Sequence, residues 1–141
     1  MIREPDKIKL GDQFNLGNKF LDNGKIDQAI VCYCYAIEFN PTFDHPYCQL
    51  GLALSQKEHF TEAILAYQKA IELNPDFIWS YYALREAYQA VKQENKAVST
   101  YRRFIAINPK IAAGYFNLGI ILKEMDVNIC KLSPLMYFKN T

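Results

Sequence analysis

The sequence predicts an all-α fold, a solenoid of helix–turn–helix repeats with three full copies and part of a fourth. Three observations predict it. Asn-Pro recurs as Asn40-Pro41, Asn74-Pro75 and Asn108-Pro109, at one constant interval. Aligned on those prolines, the chain matches itself in column after column. Inside each copy, apolar residues fall at steps of three and four, the spacing of one helical face.

The columns set the elements in order. Residues 1–9 read as a lead-in, residues 10–43, 44–77 and 78–111 as three repeats, and residues 112–125 as the first helix of a fourth. The first helix of each copy carries Leu16, Leu50, Leu84 and Leu118, followed by Gly17, Gly51, Arg85 and Gly119. Phe20, Leu54, Tyr88 and Leu122 complete that stripe. The second helices carry Ala29, Ala63 and Ala97, then Tyr33, Tyr67 and Tyr101, then Ala36, Ala70 and Phe104. Small columns let two backbones approach, and large ones fill the space around them. Asp22-Asn23-Gly24-Lys25 has turn composition, with Gly24 available for a left-handed helix cap. Asn-Pro ends each second helix, because Asn tolerates the left-handed region and the residue before proline is disfavoured in helix. One hairpin cannot bury both of its faces, so the hairpins must stack. The fourth copy decays: Lys131 holds its alanine column and Pro134 falls where a second helix would be in mid-run. Residues 126–141 are therefore expected to be an irregular tail, with Leu135-Met136-Tyr137-Phe138 lying on the preceding helix, or the chain is a piece of something longer.

These columns resemble the tetratricopeptide repeat. Leu16, Gly17, Phe20, Ala29, Tyr33, Ala36 and Pro41 meet the family's pattern in the first copy. Tyr47, Leu50, Gly51, Leu54, Ala63, Tyr67, Ala70 and Pro75 meet it in the second. Tyr81, Leu84, Tyr88, Ala97, Tyr101 and Pro109 meet it in the third, which departs at Arg85 and Phe104. The Asn-Pro ends look most like repeats of bacterial chains and of the O-linked N-acetylglucosamine transferase array. The resemblance implies a right-handed α-solenoid that binds protein segments on the concave face made by its first helices.

Composition narrows the function. Half the residues are hydrophobic and 22% are charged, so the chain should fold. A net charge of +1 argues against a nucleic-acid or membrane-surface partner. The N-terminus lacks the apolar run of a secretory signal, and no apolar stretch approaches a membrane span, so a cytoplasmic location is expected. Cys32 and Cys34 sit two apart on a helix and point in opposed directions, which excludes one metal held by both. His45 and His59 lack companions at ligand spacing, and no phosphate loop or nucleophilic triad occurs. No enzyme activity, metal or cofactor is expected. Charge is uneven: residues 10–43 carry net −2, residues 44–77 net −3, and residues 78–111 net +4. That excess includes Lys92, Lys96, Arg102 and Arg103, on the expected convex face.

The groove is the expected site. Its columns on the first helices read Phe14, Cys48, Tyr82, Phe116; then Asn15, Gln49, Ala83, Asn117; then Asn18, Leu52, Glu86, Ile120. Phe14, Asn15, Asn18, His45, Gln49, Trp79, Tyr82, Glu86 and Asn117 are the candidate contacts. Aromatic residues on a water-facing surface favour binding. The chaperone-binding branch of the family clamps a terminal carboxylate with Lys, Asn and Arg; here those positions read Phe14, Asn18, Gln49, Trp79 and Ala83, and only Asn18 agrees. The transferase-like branch holds peptide backbone with a ladder of asparagines, which Asn15, Gln49 and Asn117 fit and Ala83 interrupts. The expected function is a non-catalytic scaffold binding a peptide or protein in its groove. The alternatives are the accessory region of a modular glycosyl- or methyltransferase, and a self-associating scaffold.

Overall fold

The computed structural model describes residues 4–132, with side chains described from residue 11 to residue 126. Seven helices follow one another: α1 (Glu4–Asp22), α2 (Ile26–Phe39), α3 (Asp44–Gln56), α4 (Phe60–Leu73), α5 (Ile78–Ala90), α6 (Glu94–Ile107) and α7 (Ala112–Leu132). They form three hairpins, α1/α2, α3/α4 and α5/α6, each second helix also packing on the next first helix. α1, α3 and α5 lie side by side along one wall of this helical-repeat solenoid. Among the described residues, α7's backbone comes close to α6 alone.

Each of the first two hairpins closes on a tyrosine. A Cβ built on Gly17 would stand 2.7 Å from Tyr33 Cε1, and one built on Gly51 would stand 2.5 Å from Tyr67 Cε1. Both rings are buried, and each hydroxyl finds a partner on the first helix. Tyr33 donates to Asn18 Oδ1 at 2.7 Å, and Tyr67 Oη lies 3.2 Å from Ser55 Oγ. Burial pushes the Tyr33 hydroxyl up to about 12, helped by Asp22 and Cys32, and burial raises Tyr67 to the same range. Both rings therefore stay neutral at physiological pH. In the third hairpin Arg85 fills the glycine slot. There α5 and α6 approach each other over less of their length than the earlier pairs do. Tyr101 Oη and the Arg85 Nε and Nη1 atoms are buried with no hydrogen-bond partner among the described residues. Desolvation pushes Tyr101 upward, opposed by the Arg85 charge beside it.

The other departure from the family pattern, Phe104, is accommodated by its neighbour. Ala36 and Ala70 precede Pro46 and Ser80 by ten residues, and Phe104 precedes Gly114 by the same interval. A Cβ on Gly114 would stand 2.9 Å from Phe104 Cδ1. The missing side chain in α7 makes room for the extra ring, which also meets Tyr81 edge-on at 4.7 Å.

The turns inside the hairpins share one geometry. Gly24, Glu58 and Lys92 have φ of 74°, 62° and 57°. The following amides of Lys25, His59 and Gln93 donate back to the carbonyls of Phe20, Leu54 and Tyr88 at 2.8, 2.9 and 2.8 Å. These are left-handed C-caps, anticipated at Gly24 and present also where no glycine exists. The Asn-Pro ends differ from expectation. Asn40, Asn74 and Asn108 have φ of −142°, −140° and −125°, so none is left-handed. The proline alone accounts for the helix end, since its ring forces the preceding residue toward extended backbone. Tyr47 and Tyr81 hydroxyls then donate to the Pro41 and Pro75 carbonyls, fastening each loop to the next first helix.

Three expectations need correction. Helix α1 begins at Glu4, so most of the lead-in is helical; Pro5 falls in the first turn, where its missing N–H is not needed. α7 runs unbroken to Leu132, past the tail's expected start at residue 126. Asp126 stands one repeat period after Lys92 but takes helical backbone, so no turn forms there. The apolar run Leu135–Phe138 lies outside the described residues. Gly119 does not serve helix packing as Gly17 and Gly51 do, for nothing lies within 4 Å of its would-be Cβ. No second helix returns along α7 among the described residues to meet it.

Glu58 and Lys92 bear the cost of a β-carbon at positive φ. Glu58→Gly and Lys92→Gly should each stabilise the chain by roughly 0.5–1 kcal/mol, seen as a raised denaturant midpoint at unchanged m-value. Opposite signs are expected in the tyrosine slot. Gly51→Ala should destabilise by about 1–3 kcal/mol through overpacking against Tyr67. Arg85→Gly should hold or raise the melting temperature, because it removes two unpartnered buried nitrogens from a loose hairpin.

Candidate functional site

The wall of first helices encloses one large apolar cavity, of about 510 Å³. The repeat period builds it. The first groove column supplies Phe14, Cys48 and Tyr82, the second Gln49 and Ala83, and the third Leu52 and Glu86. His45 and Trp79, at the starts of α3 and α5, form its edge, and Phe77 and Tyr67 complete it. Six of the nine candidate contacts therefore come together: Phe14, His45, Gln49, Trp79, Tyr82 and Glu86.

The cavity edge is aromatic. His45 is stacked between Phe43 and Phe77, with ring centroids 5.5 and 5.4 Å away. Phe14 turns its edge toward Phe43 at 5.4 Å and toward His45 at 6.3 Å. Across the groove Trp79 and Tyr82 are 5.7 Å apart, and Tyr82 leans on the buried Tyr101 at 6.5 Å. Trp79 is 65% exposed, although nothing in helix packing requires a tryptophan there. The other two aromatics of the first column differ: Phe14 is half-buried between helices, and Phe116 lies exposed on α7, away from the cavity.

Polar groups in the cavity are few. Gln49 Nε2 donates to Asn18 Oδ1 at 3.1 Å, the same oxygen that accepts the Tyr33 hydroxyl. Tyr67 is held up at about 12 by desolvation, with Ser55 opposing and the Cys48 and Glu86 charges adding to the shift. Burial likewise pushes the Cys48 thiol up, so it is neither a thiolate nucleophile nor a ready metal ligand at neutral pH. At the rim, burial raises the Asp44 carboxyl, but hydrogen bonds from Asn74 and His45, with the His45 charge, outweigh it and leave it lowered. The Asn74 Nδ2 to Asp44 Oδ2 bond, 3.1 Å, joins the start of α3 to the end of α4. Among the described residues no group of three His, Cys, Asp or Glu side chains could hold a metal ion.

Three candidate contacts lie elsewhere. Asn15 is exposed beside the cavity without lining it. Asn18 is committed to Tyr33 and Gln49. Asn117 is 2% exposed and donates to the Ala113 carbonyl at 2.6 Å, within its own helix. α7 has turned out of the row, so equivalence in sequence does not bring Asn117 to the groove. The asparagine ladder is therefore not formed. Phe43 and Phe77 are absent from the candidates, yet they stand one repeat period apart and the self-alignment holds that signal.

Comparison with known proteins matches this geometry. A family model described as "Tetratricopeptide repeat" matches residues 46–77, and one described as "TPR repeat" matches residues 17–58. No curated protein shows significant sequence similarity to the chain. Among solved structures, the TPR2B domain of yeast Sti1 in a complex with pHsp70 superposes with a TM-score of 0.74 at 22% identity, covering 86% of this chain and 98% of that one. The first TPR of Spaghetti (RPAP3), bound to the HSP90 peptide SRMEEVD, gives 0.71 at 23% identity, covering 84% and 96%. MamA gives 0.72 at 26% identity, covering 87% and 71%. The regular Asn-Pro period and the tyrosine-closed hairpins agree with these matches, and residues 17–77 of the chain are tetratricopeptide repeats.

Proposed function

We propose that this chain is a non-catalytic interaction module that holds a peptide or protein segment in the groove of α1, α3 and α5. The observation that carries the reading is the cavity where three repeats meet, apolar inside and edged by exposed Trp79 and half-buried Tyr82. Large rigid aromatics give contact area at small entropic cost, and a concave apolar site of this size suits one or two side chains of a partner. Two of the similar structures hold HSP90 and Hsp70 peptides, which supports a peptide as the kind of ligand. The mode of recognition differs from a terminal-carboxylate clamp. No Lys or Arg lines the cavity, and the one matching amide, Asn18, is occupied. Binding then rests on aromatic anchors, with Gln49 and Glu86 among the few polar groups beside them. The raised thiol of Cys48 supports a role without a cysteine nucleophile. Among the described residues Cys32, Cys34 and Cys48 carry free thiols, which fits a reducing, cytoplasmic setting.

Selection of a random peptide library on the immobilised chain tests the reading. Selected peptides should lose about thirtyfold in affinity to Tyr82→Ala, the cost of truncating an aromatic anchor. Trp79→Ala, at a more exposed position, should weaken them as well. The double variant Arg102→Ala/Arg103→Ala, off the groove, should bind as the parent does. Peptides lost with the arginine pair and kept by Tyr82→Ala would move the site to the basic face.

A further inference from the structure

We infer that the cavity selects a basic side chain, so that the bound segment presents an arginine or lysine among apolar residues. The inference rests on the groove reading above and names its specificity. Glu86 is the one formally charged side chain lining the cavity when His45 is neutral. It is exposed, and no ion pair to it occurs among the described residues. Its neighbour Arg85 does not supply one: two of its guanidinium-side nitrogens are buried in the hairpin. A carboxylate at an apolar opening, without a cation of its own, is answered by a cation from the ligand.

The aromatic groups around it favour the same occupant. Tyr82 and Trp79 lie one turn or two before Glu86 on α5, so all three belong to one stretch of groove. An aromatic face attracts a cation through its quadrupole, and a guanidinium adds planar stacking. The remaining polar lining, Gln49, Tyr67 and Cys48, is uncharged, with Tyr67 and Cys48 both shifted upward by burial. No lysine or arginine lines the cavity to offset Glu86, and His45 does so only when protonated. The second repeat, which supplies six of the eleven lining residues, carries net −3 over residues 44–77. The positive excess of residues 78–111 includes Arg102 and Arg103, which do not line the cavity. An anionic segment would meet Glu86 without compensation.

Peptides selected from the random library supply the probe. Those lost to Tyr82→Ala or Trp79→Ala are resynthesised with citrulline for each arginine and norleucine for each lysine. One such replacement should weaken binding about tenfold, and Glu86→Gln should weaken the parent peptide by a similar factor. Glu86→Gln should leave the citrulline or norleucine peptide nearly unchanged, because the pair is already broken. Glu86 is exposed, so its substitution does not disturb the core, and matched thermal melting checks this. Groove-dependent peptides without a basic residue, or indifferent to Glu86→Gln, would overturn the inference while the groove reading stands. A selection yielding no peptide sensitive to Tyr82 or Trp79 would overturn both.

Discussion

A tyrosine ring of the second helix lies against a glycine of the first, where no side chain stands in its way. This contact sets the distance between the two helices of a hairpin, and the rest of the molecule follows from it. Tyr33 over Gly17 and Tyr67 over Gly51 bring backbones together closely enough for Ala29, Ala36, Ala63 and Ala70 to be buried beside them. Because the contact recurs at the repeat period, the first helices align and their outer columns become one surface. The groove is thus a by-product of packing on the opposite side of the same helices. Tyr67 serves both sides, closing the second hairpin and lining the cavity, whereas exposed Trp79 and Glu86 serve the groove alone.

The stack has different requirements at its middle and its ends. Leu84, in the third copy, is buried; Leu16, at the same place in the first, is 41% exposed. Leu122 likewise remains exposed on α7, although Leu54 and Tyr88 in its column are buried. Such gradients are what a linear array produces, since each unit is covered by its neighbours. They also explain why the cavity forms at the centre, where α3 has a first helix on either side.

Much of this was legible in the chain. Asn-Pro at a fixed interval gave the period, and the small and large columns gave the hairpin packing. Groove columns followed by elimination, as the positions that packing left unassigned, and six of nine candidates reached the cavity. What stayed hidden depended on information outside the repeat. Glu58 and Lys92 adopt the backbone of Gly24 because the tertiary turn imposes it, although neither residue type announces a left-handed cap. Asn117 turned inward because α7 leaves the row, and a column alignment assumes that every copy is placed alike. Phe104 looks like a defect in its column until Gly114, ten residues on and in another helix, shows where its ring fits.

Arg85 has a consequence for the groove. It loosens the hairpin that carries Trp79, Tyr82 and Glu86, while the hairpins carrying Phe14, His45 and Gln49 keep their glycine–tyrosine closure. In an array held by nearest-neighbour contacts, slack in one unit is not taken up by the others. The cavity therefore has one jaw closed by glycine–tyrosine contacts and one jaw without them. The side without that closure bears exposed Trp79 and half-buried Tyr82, so the groove's aromatic anchors and its loosest hairpin are the same part of the array.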